Sequence, residues 1–214
     1  LSNKYLQKFD IAGNSNTPLW TYTGYTGTTV LGLAVDFEDN VIINGSSATG
    51  KRTITKVSGA TGLFLWSAAQ PTGNWTQSNH IATDKIGDVY SVGTGGPDRT
   101  KGLYLLKYAK ATGALLWSYL TPQTLNAGDW VTIDKDGFVY YANRTTVQKL
   151  DQSLANTTTP PTVVWTLTTT DSRIVKVDAG NFVYTGGTRK ELKKLDQSLA
   201  NASTPPVVLW TKLY

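Results

Sequence analysis

The sequence predicts an all-β protein, a β-propeller built of four-stranded antiparallel blades, and three recurring markers carry that expectation. Tryptophan closes a short apolar run at Trp20, Trp66, Trp117, Trp165 and Trp210, at spacings of 46, 51, 48 and 45 residues. Aspartate opens a turn at Asp36, Asp84, Asp134 and Asp178, each followed five positions later by valine, at Val41, Val89, Val139 and Val183. Between these two markers stands a lysine with an apolar residue after it, as Lys8-Phe9, Lys56-Val57, Lys107-Tyr108, Lys149-Leu150 and Lys194-Leu195. Markers that return in one order at a period of about 45 residues define a repeat, and short alternating apolar runs bounded by turn residues are strands. A four-stranded unit of that size cannot cover both of its faces alone, and radial packing about an axis is the common solution.

The strands of each unit are labelled a to d in order. The stretch from Val131 to Trp165 shows them most plainly, as VTID, a KDG turn, FVYYA, TVQKLD, a polar turn and VVWTL. Complete units are expected at about 30–67, 77–119, 129–167 and 173–214, while residues 1–22 match only strands c and d. The expectation is four complete blades preceded by a half blade, about five-bladed or part of a larger ring. The chain contains no methionine and the first blade lacks strands a and b. It is therefore expected to be a piece of a longer chain, or to complete its ring with another copy.

Within two of the units, Ala60-Thr61-Gly62-Leu63-Phe64-Leu65-Trp66 and Ala111-Thr112-Gly113-Ala114-Leu115-Leu116-Trp117 resemble, through their T-G-x-x-x-W part, the A-x-T-G-x-x-x-W signature of quinoprotein-type (PQQ-like) propeller repeats. With the D-x-x-G-x-V-Y turn and the preceding KV or KY, the resemblance covers nearly the whole chain. It departs in the last two units, where the c–d turn becomes Asp-Gln-Ser-Leu-Ala-Asn running to Pro-Pro, at 151–161 and 196–206. The resemblance implies a propeller. It also raises two family roles, a quinone-dependent dehydrogenase and a protein-docking scaffold of an envelope assembly machine.

Composition narrows the chemistry. The 214 residues contain no cysteine and one histidine, His80, so disulfides, thiolate sites and multi-histidine metal centres are excluded. A dehydrogenase of the quinoprotein kind needs a larger ring, a calcium and a dedicated quinone pocket, and no adjacent cysteines or calcium cluster are visible, so no cofactor is expected. The repeat tryptophans are expected to pack between sheets. Each repeat aspartate is expected to bond backbone amides in its turn, with Gly or Asn supplying positive φ. One carboxylate per blade leaves these four too far apart for paired acid and base work. No metal site and no catalytic residue is expected.

Charge is sorted by connection. Strands alternate in direction, so the d–a and b–c connections emerge on one face and the a–b and c–d turns on the other. The first face collects Arg52, Arg99, Arg144 and Arg189 in b–c loops and Arg173 before a strand a, whereas most carboxylates gather on the opposite face. Trp75 in a d–a loop, together with His80 and Trp130 four residues before their turn aspartates, shares the basic face. Arginine beside Trp suits interface anchoring and stacking on planar ligands. The expected function is a non-enzymatic binding, display or structural module that presents this face to a protein or glycan partner. Its expected setting is extracellular, on a cell surface or on a virion. A nucleic-acid partner is not expected, because the repeat lysines form no continuous basic stripe. Nor is a membrane span, since no apolar run is long enough.

Overall fold

The computed structural model describes residues 5–10, 12, 16–25, 27–47, 52–69, 77–94, 103–121 and 130–214. They form strands, turns and irregular connections, with no helix among the described residues. β1 (Leu6–Lys8) and β2 (Trp20–Tyr22) make a two-stranded sheet, the half blade. Blade one is β3 (Gly27–Val35), β4 (Val41–Ser47), β5 (Arg52–Val57) and β6 (Phe64–Ala69). Blade two is β7 (Gln77–Thr83), β8 (Val89–Thr94), β9 (Leu103–Tyr108) and β10 (Leu115–Leu120). Blade three is β11 (Trp130–Ile133), β12 (Val139–Asn143), β13 (Thr146–Asp151) and β14 (Thr162–Thr168). Blade four is β15 (Ile174–Val177), β16 (Val183–Gly186), β17 (Glu191–Asp196) and β18 (Val207–Leu213).

Every blade is an antiparallel meander, and the first strands of successive blades lie side by side. β7 packs on β3 and β4, β11 on β7 and β8, and β15 on β11 and β12. The first strand of each blade is thus the innermost, and the sheets stand like spokes. All four complete blades bulge between strands c and d, beside Val57, between Leu115 and Trp117, beside Leu150 and beside Leu195. A bulge adds local twist, which each blade needs to lie against the next.

The a–b turns have one construction. Asp36 Oδ1 accepts from the amides of Glu38 and Asn40, Asp84 Oδ1 from Ile86 and Asp88, and Asp134 Oδ1 from Asp136 and Phe138. Asp178 Oδ1 takes the Phe182 amide. The fourth turn residue has positive φ each time, at Asp39 (62°), Gly87 (91°), Gly137 (90°) and Asn181 (66°). These are residue types that tolerate the left-handed region.

Packing between blades is where the repeat tryptophans act. Trp66, Trp117 and Trp165 are 6%, 2% and 1% exposed, each lying against the following blade. Their indole N–H groups find acceptors there by two different routes. At the two earlier seams a main-chain carbonyl serves: Gly59 O takes Lys8 Nζ (2.8 Å) and Trp20 Nε1 (2.9 Å), and Lys110 O takes Lys56 Nζ (3.1 Å) and Trp66 Nε1 (2.8 Å). The Thr-Gly turn makes this approach possible. Gly62 and Gly113 have φ of +72° and +69°, and a Cβ on either would lie 2.7 and 2.6 Å from the ring of Trp20 and Trp66.

At the two later seams the longer Asp-Gln-Ser-Leu-Ala-Asn turn supplies a side chain instead. Gln152 Oε1 accepts from Trp117 Nε1 (3.2 Å) while its Nε2 donates to Tyr90 Oη (2.8 Å), and Gln197 Oε1 accepts from Trp165 Nε1 (3.2 Å) with Tyr140 Oη 3.0 Å away. Tyr90 and Tyr140 give their hydroxyl protons to Asp84 Oδ2 and Asp134 Oδ2. Blade one carries Ile42 where these tyrosines stand, and there Lys56 pairs with Asp36 at 2.7 Å, both side chains being buried. Burial raises the Asp36 carboxyl, but the bonds from Lys56 and Asn40 outweigh it and hold the group below its ordinary range. In the last two blades the strand c lysine leaves the aspartate and lies over rings, Lys149 at 4.0 Å from Phe138 and Lys194 at 3.9 Å from Phe182.

Trp210 departs from the expectation that every repeat tryptophan is enclosed. It is 40% exposed, with no blade packed on it among the described residues, although its edge-on contact with Tyr184, at 6.2 Å, copies Tyr90–Trp117 and Tyr140–Trp165 at 5.9 and 6.0 Å.

The difference is measurable by urea unfolding. Trp165→Ala is expected to cost about 3–5 kcal/mol, as for a large enclosed ring. Trp210→Ala, whose ring is already half in water, is expected to cost about 1 kcal/mol. Equal costs would contradict the radial packing.

Candidate functional site

The face formed by the d–a and b–c connections gathers the described basic and aromatic groups at blades two to four. His80 in β7 and Trp130 at the head of β11 occupy equivalent positions on neighbouring inner strands, and their rings stack with centroids 3.7 Å apart and planes inclined by 23°. Lys176, from the next inner strand, places Nζ 5.7 Å from the Trp130 ring. Burial, followed by the nearby Lys176 charge, pushes His80 down to about 4, and its Nδ1 accepts from the Val131 amide at 3.4 Å. His80 is therefore neutral near pH 7 and works as a stacking plate with no positive charge.

Arg144 follows β12 in the b–c loop of the same blade as Trp130. Its carbonyl accepts from the Ser172 amide (3.1 Å) and Thr169 Oγ1 (3.4 Å), which ties that loop to the d–a connection before β15. Asp171 in this connection organises the remaining arginines. Its carboxylate accepts from Arg173 Nε (3.1 Å), Thr188 Oγ1 (2.8 Å) and the Arg189 amide (2.8 Å). Burial opposes ionisation of Asp171, yet these donors and the Arg173 charge hold it down to about 2. One carboxylate thereby fixes two arginine-bearing segments, while the Arg189 residue itself stays exposed.

Trp130 Nε1, Asn143 Nδ2 and Arg144 Nε on this face are buried N–H groups with no acceptor among the described residues. Trp130 pairs with Ala142 across β11 and β12, and Arg144 lies two residues beyond Ala142, so both stand at the same end of blade three. Buried donors are normally satisfied, so an acceptor that reached these groups would gain more here than elsewhere on the face.

The residues expected from the sequence fall into two groups. His80, Trp130, Arg144, Arg173 and Arg189 are all placed on this face; Arg52 is placed by its backbone at the head of β5, and Trp75 and Arg99 lie outside the described residues. Two contributors were missed by sequence reasoning. Asp171 reads in sequence as one more loop carboxylate, and Lys176 stands two residues before a turn aspartate, where blades one and two carry Ala34 and Ala82. Comparing that register position across blades singles out Lys176, because it alone is charged there.

The opposite face holds a groove of about 400 Å³ between blades two and three, lined by Asp84, Lys107, Asp134, Asp136, Asp151 and others. Its acids are largely committed. Asp84 is occupied by turn amides, the Tyr90 hydroxyl and Lys107, and Asp134 by turn amides and the Tyr140 hydroxyl. No group of three or more His, Asp or Glu side chains among the described residues converges as metal ligands do, and no helix among them is long and apolar enough to cross a membrane.

No family model matches the chain, and no curated protein matches it by sequence. Solved structures do share its fold. A protein of unknown function from Bacteroides caccae superposes with TM-score 0.59 at 11% identity, covering 92% of this chain and 65% of its own. A protein from Lactobacillus plantarum gives TM-score 0.63 at 13% identity, covering 91% of this chain and 59% of its own. BamB from Moraxella catarrhalis gives 0.61 at 14% identity, with 97% and 55% covered. The chain thus spans less than two thirds of the length of each, and at such identities the likeness is one of fold: a β-propeller of four-stranded blades.

The state of His80 gives a pH test. A free histidine titrates near 6.5, and this one near 4. Between those values the unfolded chain binds the proton and the folded chain does not, so folding stability falls as pH drops from 6.5 towards 4. Urea midpoints are expected to fall across that window in the wild type and less so in His80→Phe. An imidazole seen by NMR to titrate near 6.5 in the folded protein would contradict the placement.

Proposed function

We propose that the chain is a non-catalytic binding module whose basic loop face docks an acidic segment of a protein partner. The observation that carries this reading is the group of buried donors without an acceptor among the described residues, Trp130 Nε1, Asn143 Nδ2 and Arg144 Nε, at one end of blade three. Such donors gain an acceptor when a carboxylate or carbonyl arrives, and a charged acceptor gains most. Around them Lys176, Arg173 and Arg189 supply positive field, with Asp171 holding the two arginine segments in place.

A protein acid suits these groups better than a sugar. The Trp130 ring is taken up by His80 and Lys176, which leaves its N–H rather than its face to a partner. Propellers serve many purposes, so the fold lends the reading only a scaffold. The likeness to BamB is one of fold; with the acidic protein partner we propose a surface or envelope setting, on a cell, a secreted assembly or a virion.

A labelled poly-glutamate peptide is the probe, read by fluorescence anisotropy. Binding is expected to exceed that of a neutral peptide of equal length and to weaken as salt rises. Arg144→Ala and Arg173→Ala are each expected to weaken it by about fivefold, near 1 kcal/mol per lost charge contact. Folded variants that bind as the wild type does, or binding indifferent to salt, would overturn the assignment.

A further inference from the structure

The lengthened c–d turns of blades three and four serve the fold through two residues and leave a third over. In Asp-Gln-Ser-Leu-Ala-Asn the glutamine reaches into the seam and bonds the tryptophan of the preceding blade, while the alanine, Ala155 or Ala200, packs on the core beneath. The leucine before that alanine is turned out into water. Leu154 is 81% exposed and Leu199 80%. One exposed leucine is ordinary, but this one recurs at the same register position of two adjacent blades. Leu154 stands in a blade with a neighbour on either side, so its exposure is a property of the turn.

Each turn holds its leucine in place. Asp151 Oδ1 accepts from the Ser153 amide (2.8 Å), and Asn156 Oδ1 from the amides of Thr158 (2.9 Å) and Thr159 (3.0 Å). The second turn repeats the pattern, with Asp196 Oδ1 taking the Ser198 amide (2.8 Å) and Asn201 Oδ1 the amides of Ser203 (2.9 Å) and Thr204 (3.1 Å). A side chain displayed on a turn already fixed loses little further order when it is covered.

Charge points to what covers it. On the turn face, blades three and four carry Asp134, Asp136, Asp151, Asp178 and Asp196 against three lysines, two of which, Lys149 and Lys194, lie over rings. On the loop face the same two blades carry Arg144, Arg173, Lys176 and Arg189. Each exposed leucine has a carboxylate three residues before it, at Asp151 and Asp196, and each of these blades has an arginine in its b–c loop, at Arg144 and Arg189. Both pairs are separated by the same step from blade to blade, so a copy set on the axis of another meets the two contacts together. Arginine suits both parts of such a contact, because its stem covers apolar surface while its head meets a carboxylate.

We propose that a second copy of this chain is the acidic partner of the loop face, the Leu154 and Leu199 turns of one molecule seating on the Arg144 and Arg189 loops of another. The inference rests on the reading of the loop face as a seat for an acidic protein segment, and it names that segment. The contact is heterologous, because the two surfaces differ, so copies add face to face in a stack that leaves one face of each kind free at its ends.

Sedimentation velocity on the whole chain, from micromolar to sub-millimolar concentration, tests it with two double variants, Leu154→Lys with Leu199→Lys and Arg144→Ala with Arg173→Ala. The wild type is expected to pass from monomer to dimer and then to longer species, less so as salt rises, and to be returned to monomer by excess poly-glutamate peptide. Each double variant alone is expected to stay monomeric with an unchanged circular dichroism spectrum, and the leucine variant to bind the peptide as the wild type does. Mixed in equal amounts, the two are expected to form a dimer and stop, since one brings an intact loop face, the other intact turns, and the remaining faces are both blocked. A wild type that binds the peptide yet stays monomeric would overturn this inference and leave the loop-face reading standing, whereas a wild type that does neither would overturn both. Association that survives the leucine changes would put the contact elsewhere and overturn the inference as well. Should the leucine variant unfold, Leu154→Ser with Leu199→Ser replaces it in the same experiment.

Discussion

The constraint on which this architecture rests is that a four-stranded sheet of the repeat has two apolar faces and can hide only one of them in any single contact. Each blade is consequently finished by its neighbour. The indole of strand d makes this demand specific, because a large ring brings along an N–H that must be bonded once it is enclosed. A seam therefore needs both a flat apolar surface and one oxygen at a fixed place. The following c–d turn provides both.

Two chemistries meet that need in one chain. Where the turn is Ala-Thr-Gly, a backbone carbonyl accepts from both the tryptophan and the strand c lysine, and glycine is required because the ring lies on its Cα with left-handed φ. Where the turn is lengthened, a glutamine side chain takes the place of that carbonyl, its oxygen accepting from the tryptophan and, at Gln152, its amide donating to a tyrosine hydroxyl. The lysine, no longer bonded to the carbonyl, turns to an acidic pair at Asp84 and Asp88 or to aromatic rings. The alternatives conserve the sum of satisfied donors, which is what a dry seam selects. In the same way Asp171 replaces several weak loop contacts with one carboxylate bonded on three sides.

Much of the fold was legible in the sequence because its markers are spaced features of strands and turns. Alternation locates the strands, and Asp with Gly, Asn or, in blade one, Asp three residues later locates the a–b turns. The fate of Gln152 and Gln197 was not legible, since each looks like any polar turn residue and its role depends on a tryptophan some 35 positions earlier in space and not in register. Trp210 reads like its four counterparts, and only the absence of a covering blade distinguishes it. On the loop face, the pairing of His80 with Trp130 follows from equal register on adjacent inner strands. The direction in which Arg144 turns, and the service of Asp171 to two segments at once, depend on loop conformations that no periodicity encodes. Lys176 sits within a strand whose apolar pattern hides it.

The account stands or falls on the indole N–H groups being bonded across seams. Hydrogen exchange of the tryptophan side-chain N–H signals by NMR, at concentrations where the chain is monomeric, reads this directly. Trp66, Trp117 and Trp165 are expected to exchange slowly, and Trp210 rapidly, as an indole open to water. Exchange at Trp117 and Trp165 as fast as at Trp210 would show that the seams are wet and that the blades are not held in the way described.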